Sequence, residues 1–162
     1  MIGYYFHPLS RGKIKCVIYH HFVSLSLQKP FDFMKTELQD RSQVLTLISR
    51  FYDKVREDDL LGPIFNGIIE DWDHHLQHLT TFWCNQLFIE RNTYKGNPIE
   101  IHKKVDDFAN NEINELHFGR WLNLWVQTID ELFEGDNAFI LKNRARKMST
   151  HIHLSIFSAR KN

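Results

Sequence analysis

Apolar residues recur at steps of three and four along most of the chain beyond Met34, and no window sustains the two-residue alternation of a half-buried strand. That property restricts the fold to packed helices. Val44, Leu45, Ile48, Phe51, Tyr52 and Val55 share one face of a helix expected over 41–56, with Asp40 placed to cap it. Trp72, His75, Leu76, Leu79, Phe82, Trp83 and Leu87 mark a second helix. Leu116, Trp121, Leu124, Trp125, Thr128, Ile129 and Leu132 mark a third, closed by Gly135. Asp136 is positioned to cap a fourth, whose buried side runs through Ile140, Leu141, Ala145, Met148 and Ile152. Between the second and third lies "IERNTYKGNPIEIHKKVDDFANN", which reads as a long loop broken by Gly96 and Pro98, with a short apolar turn at 99–105. The expectation is an all-α domain with four main helices.

Composition sets the scale and removes several function classes. At 162 residues and 43% hydrophobic, the chain fills one core and is too short for two ordinary domains. Lys plus Arg equals Asp plus Glu at 20 each, so the field needed to grip phosphate backbones is missing and nucleic acid is not an expected partner. Cys16 and Cys84 stand far apart in no pairing or metal-ligand spacing, which suits a reducing, cytoplasmic setting. The first 33 residues place Arg11, Lys13 and Lys15 before an apolar run that His20 and His21 interrupt. This run is too short and too broken for a secretory signal or a membrane span. Met34 then opens what reads as an ordinary start, so 34–162 is the expected domain. Residues 1–33 are expected to be a poorly ordered extension or a translated upstream stretch. Thirteen Phe, four Trp and ten His point to a bulky core built around something flat.

The chemistry of a helical domain lies in the polar groups on its buried faces. His75 shares a face with Trp72, Leu79 and Phe82, while His74 and His78 turn away from it. Taken singly it reads as a core-edge histidine satisfied by a neighbour. His102 closes "NPIEIH", where the proline starts an ordered turn that can aim an imidazole; singly it reads as a surface loop histidine. Tyr52 and Trp121 each carry a polar handle on an apolar ring, and alone each reads as core. "HHLQH" sets His74 and His78 four apart on one face but offers no glutamate between them as a base, so zinc is weakly supported. The paired Glu-x-x-His motifs of di-iron bundles, a Gly-rich phosphate loop and a nucleophile elbow are all missing from the sequence.

Taken together, these residues form a series. Phe51-Tyr52 with Lys54-Val55, "LGPIFN", Trp72 with His75 three residues on, Phe82-Trp83, Tyr94 with Gly96, Pro98 and His102, and Trp121-Leu122 follow in an order and spacing that resembles the truncated haemoglobins of group III. The resemblance runs from about Met34 to near the C-terminus, and residues 1–33 have no counterpart in it. It implies a two-over-two helical sandwich around b-type haem, with His102 as the proximal iron ligand and the opposite axial position open to a small gas. It also implies that Tyr52, His75 and Trp121 face that position, where O–H and N–H donors slow the loss of dioxygen. Phe65 is expected on a loop against the porphyrin plane, delivered by a corner at Gly62-Pro63. Leu79 forms the apolar distal wall in this reading, with Phe82 and Trp83 on the far side of the pocket. The leading functional expectation is reversible binding of O2 and other diatomic ligands. The alternative is a haem enzyme that uses the same site for NO dioxygenation, with a reductase supplying electrons, or for peroxide reduction. The neutral composition offers no reductase docking patch.

Overall fold

The computed structural model describes residues 35–88 and 94–160, so the expectation for residues 1–33 lies outside the described residues. In chain order the elements are β1 (Thr36–Glu37), α1 (Arg41–Glu57), α2 (Gly62–Ile68), α3 (Trp72–Leu87), α4 (Pro98–Phe108), α5 (Glu115–Leu132), β2 (Phe133–Glu134) and α6 (Asp136–Ala159). Six helices are thus present among the described residues, where the sequence suggested four main ones.

Asp40 begins α1 with a capping box: its carboxylate accepts the Gln43 amide at 2.9 Å, and Gln43 Oε1 accepts the Asp40 amide at 3.2 Å. The buried stripe of α1 is Val44, Leu47, Ile48, Phe51, Tyr52 and Val55. Leu47 therefore takes the place expected for Leu45, which is only half-buried. α1 packs against both α3 and α5, and α5 packs against α6. The pairs α1–α3 and α5–α6 make the two-over-two sandwich, with α2 against α1 and α4 against α6.

The two unexpected helices have one physical origin. Pro98 and Pro63 each stand in the first turn, where a missing N–H costs nothing because no partner awaits it there. Asn97 caps α4 by accepting the Ile99 and Glu100 amides, and three helical turns follow where a short turn in a loop was expected. α4 ends through Asn110 and Asn111, both in the left-handed region at φ 54° and 61°, which asparagine tolerates better than most residues. Phe65 accordingly stands on α2 rather than on a loop.

Two short features hold the ends. β1 and β2 pair in parallel, Thr36 with Phe133 and Glu37 with Glu134. Gly135, at φ 87°, then turns the chain into α6 as its N-cap, so Asp136 is the first helical residue and not the cap. Leu116, assigned to the apolar face of the third helix, is largely exposed, and the buried residues of α5 are Leu124, Trp125, Thr128 and Ile129.

Aromatic contacts organise the centre. Phe51 is fully buried and meets Tyr52, Trp121 and Trp125 edge-on, at centroid distances of 4.8, 5.2 and 5.0 Å. Such contacts add about 0.5–1.5 kcal/mol each beyond area burial. Trp121, Trp125 and Trp83 lie in a stack, with 5.6 Å between the first pair and 4.6 Å between the second.

Candidate functional site

Most residues on the expected inner face of α3 are half-buried; only Thr80, Trp83 and Cys84 are fully covered. The reason is a cavity of about 430 Å³ that α3 faces in place of a packed neighbour. α4 stands across it, α2 and α5 contribute rings, and α6 contributes Met148, Ile152 and Ile156. Its size falls within the range of roughly 300–1,000 Å³ typical of cofactor and small-ligand sites, and its lining is apolar apart from a few polar side chains.

Tyr52, Phe65, His75, Leu79, His102 and Trp121 all line this one cavity, as do Phe82 and Trp83. Residues spread over 70 positions of sequence converge because α1, α2, α3, α4 and α5 each present one turn to the same space. Sequence reasoning missed the α6 wall and the α4 residues beside His102. Ile101 with Val105, and Ile152 with Ile156, are pairs at i, i+4, the one signal that marks them as a shared face.

His102 sits one turn into α4, and its Nδ1 lies 2.6 Å from the Pro98 carbonyl oxygen. A carbonyl only accepts, so Nδ1 carries the proton and Nε2 keeps a free lone pair. Burial pushes the imidazole pKa down, against a smaller upward pull from the Pro98 bond, which keeps the ring neutral. A ring fixed by donation to a backbone carbonyl, with the other nitrogen unprotonated, is the usual arrangement of a metal-ligating histidine.

His75 enters the same space from α3. Its Nε2 is buried and has no hydrogen-bond partner, which is costly for a polar atom unless something occupies the cavity. Burial, helped by the neighbouring His78 and His74, lowers its pKa to about 4. Of the two adjacent imidazoles His75 is the more buried, but His74, exposed and stacked with His78, also lines the cavity, as does His78, so neither turns away from it as the periodicity suggested.

Tyr52 is buried, and that burial drives its phenol pKa well above the ordinary value. Hydrogen bonding from Trp121 pulls less strongly the other way. Both side chains line the same cavity. Tyr52 is also packed by His75 at 5.4 Å and by Trp72 at 5.8 Å, and the Arg56 guanidinium lies 4.6 Å above the outer side of Trp72.

Among the described residues no group of three or more His, Cys, Asp or Glu side chains is placed to hold a metal ion by itself, and no helix is long and apolar enough to cross a membrane.

No family model matches the chain. The group 3 truncated hemoglobin ctb of Campylobacter jejuni is 28% identical over 128 residues, covering 76% of this chain and 96% of that protein. The crystal structure of a group III truncated hemoglobin from Campylobacter jejuni superimposes with a TM-score of 0.67 at 26% identity, over 76% of this chain and 95% of the other. The 2/2 hemoglobin of Synechococcus sp. PCC 7002, solved in the cyanomet state with covalently attached heme, is similar in fold, with a TM-score of 0.57 at 17% identity over 75% and 94% of the two chains.

Proposed function

We propose that this chain, which belongs to the group III truncated haemoglobins, seats a b-type haem in the cavity between α3 and α4 and binds O2 there reversibly. The observation that carries the reading is His102: a neutral imidazole in an apolar cavity, oriented by its bond to Pro98 and offering Nε2 to an iron. The buried Nε2 of His75 on the same cavity wall offers a polar group to an occupant.

Haem, when bound, would supply an iron that binds a diatomic gas reversibly. The chain's own residues do the rest. His102 is the proximal ligand in this reading, and its Nδ1–H donation holds the ring plane fixed. Tyr52 offers an O–H at the opposite wall, and burial keeps that phenol protonated through neutral pH, so that it stays a donor. Trp121, which lines the same cavity, offers an indole N–H as a second donor in this reading. Phe65 and Leu79 line the space with apolar groups that exclude water and strengthen the polar contacts within it.

Titration of the purified protein with haemin tests this directly. A saturable Soret band is expected, and His102→Ala should lose haem readily unless imidazole is supplied. An unchanged haem spectrum in that variant would move the ligand to His75 or His78. A colourless protein that takes up no haemin would overturn the reading altogether.

A further inference from the structure

Asp58 ends α1 with a carboxylate that is buried although it carries charge; its side chain is 3% exposed. Its Oδ1 accepts the amides of Leu60 at 3.1 Å and Leu61 at 3.0 Å, and its Oδ2 accepts Arg120 Nε at 2.5 Å. These contacts tie together the elements that supply the cavity with rings. Asp58 follows the helix that carries Tyr52, Leu61 is the N-cap of the helix that carries Phe65, and Arg120 immediately precedes Trp121 on α5. Leu61 lines the cavity itself.

We infer that Asp58 is a positioning residue for the donor side of the cavity, its charge fixing where Tyr52, Phe65 and Trp121 stand relative to one another. The inference rests on the haem-binding reading above. The carboxylate joins the end of α1 to α5, 62 residues away in sequence, at the residue next to Trp121, whose indole lines the cavity with Tyr52. Burial pushes the Asp58 carboxyl pKa up, and the Arg120 guanidinium with the two amides more than reverses this, so the group is anionic at neutral pH. A buried anion whose three donors come from two separate elements tolerates little movement of either, because each displacement leaves charge unsolvated. A donor moved out of line weakens its hydrogen bond, so the joint acts on ligand retention without touching the ligand.

The test is Asp58→Asn, which keeps an oxygen for the Leu60 and Leu61 amides and removes the charge facing Arg120. In the haem-loaded protein, O2 dissociation measured by stopped flow should accelerate on the order of tenfold, as a weakened donor predicts. CO dissociation, which depends less on a donor, should change far less. In the haem-free protein, near-ultraviolet circular dichroism from the Trp121–Trp125 pair should weaken as Trp121 shifts. Arg120→Lys, which keeps a cation facing the carboxylate, should remain near the parent in both measurements. An unchanged ratio of O2 to CO rates together with an unchanged tryptophan signal overturns the inference, whatever happens to the melting temperature. Should Asp58→Asn not fold, Arg120→Gln carries the same expectations, since that side chain is half exposed and the glutamine amide can still donate to the carboxylate. Failure of the parent protein to bind haemin counts against the haem reading, and the tryptophan signal of the haem-free variants still decides the role of Asp58.

Discussion

Removal of the Arg160 guanidinium should destabilise the domain by about 2–4 kcal/mol. Asp106, one turn beyond His102 on α4, is 2% exposed and carries a carboxylate in need of donors. Arg160 supplies them from the end of α6, with Nε 2.7 Å from Oδ2 and Nη2 bonded both to Oδ1 and, at 2.6 Å, to the Ile113 carbonyl oxygen. Arg160→Met keeps the length of the stem and leaves a buried carboxylate without its partner. Breaking a buried pair from one side costs about 3–5 kcal/mol, and the quarter exposure of the Arg160 side chain (24%) brings the figure down to about 2–4 kcal/mol because water reaches part of the site. Urea unfolding of the haem-free protein reads this as a lower midpoint at unchanged slope. The double variant Asp106→Leu with Arg160→Met should recover at least half of the loss, since the stranded charge is gone. The proximal helix should feel the change as well, so haemin should pass to an excess of an apoglobin acceptor several-fold faster from Arg160→Met than from the parent. A single variant within about 0.5 kcal/mol of the parent, or a double variant no better than the single, would refute the reasoning, because the carboxylate would then be solvated without its arginine.

Three further outcomes follow from the site. Tyr52→Phe and Trp121→Phe should each release O2 roughly tenfold to a hundredfold faster; stopped-flow rates with CO as the control check both, and equal acceleration of the two gases would assign a steric role. His75 carries a folded-state pKa of about 4 against an ordinary 6.5, so the folded protein binds fewer protons than the unfolded chain between these values. Stability of the haem-free protein should therefore be full above pH 6.5 and fall by about 1–2 kcal/mol as pH drops toward 4, after allowance for partial exposure, with His102 acting in the same sense; His75→Leu should flatten that slope in denaturant titrations. Phe51→Ala removes a fully buried ring with three aromatic partners and should cost about 3–5 kcal/mol, read as a fall in melting temperature.

Much of this fold is legible in periodicity alone, and the exceptions have physical causes. α1, α3, α5 and α6 carry enough apolar residues per turn for their faces to stand out. α2 and α4 do not, because α2 is only seven residues long and α4 turns its few apolar side chains toward a cavity. Their prolines suggested interruptions, and a proline within the first turn of a helix carries the same letter as one that breaks it. The six cavity residues named through the family resemblance are brought together by the fold, whereas spacing alone marked helix faces and read His102 as a loop residue. The Asp58–Arg120 and Asp106–Arg160 pairs were not legible, because each joins residues more than 50 positions apart and depends on packing that no local pattern records.

The stacked indoles of Trp83, Trp125 and Trp121 also give the protein a built-in optical reporter. Trp125 is fully buried with its N–H unpaired, so its emission should be blue-shifted, as for an indole in hydrocarbon. Because the outer two rings line the cavity, any strongly absorbing occupant lies within short range of every member of the stack and should drain its excited state. Fluorescence intensity therefore measures how full the cavity is, and the wavelength measures how dry its wall remains. Both signals can be followed in one cuvette, without a label and without altering a residue.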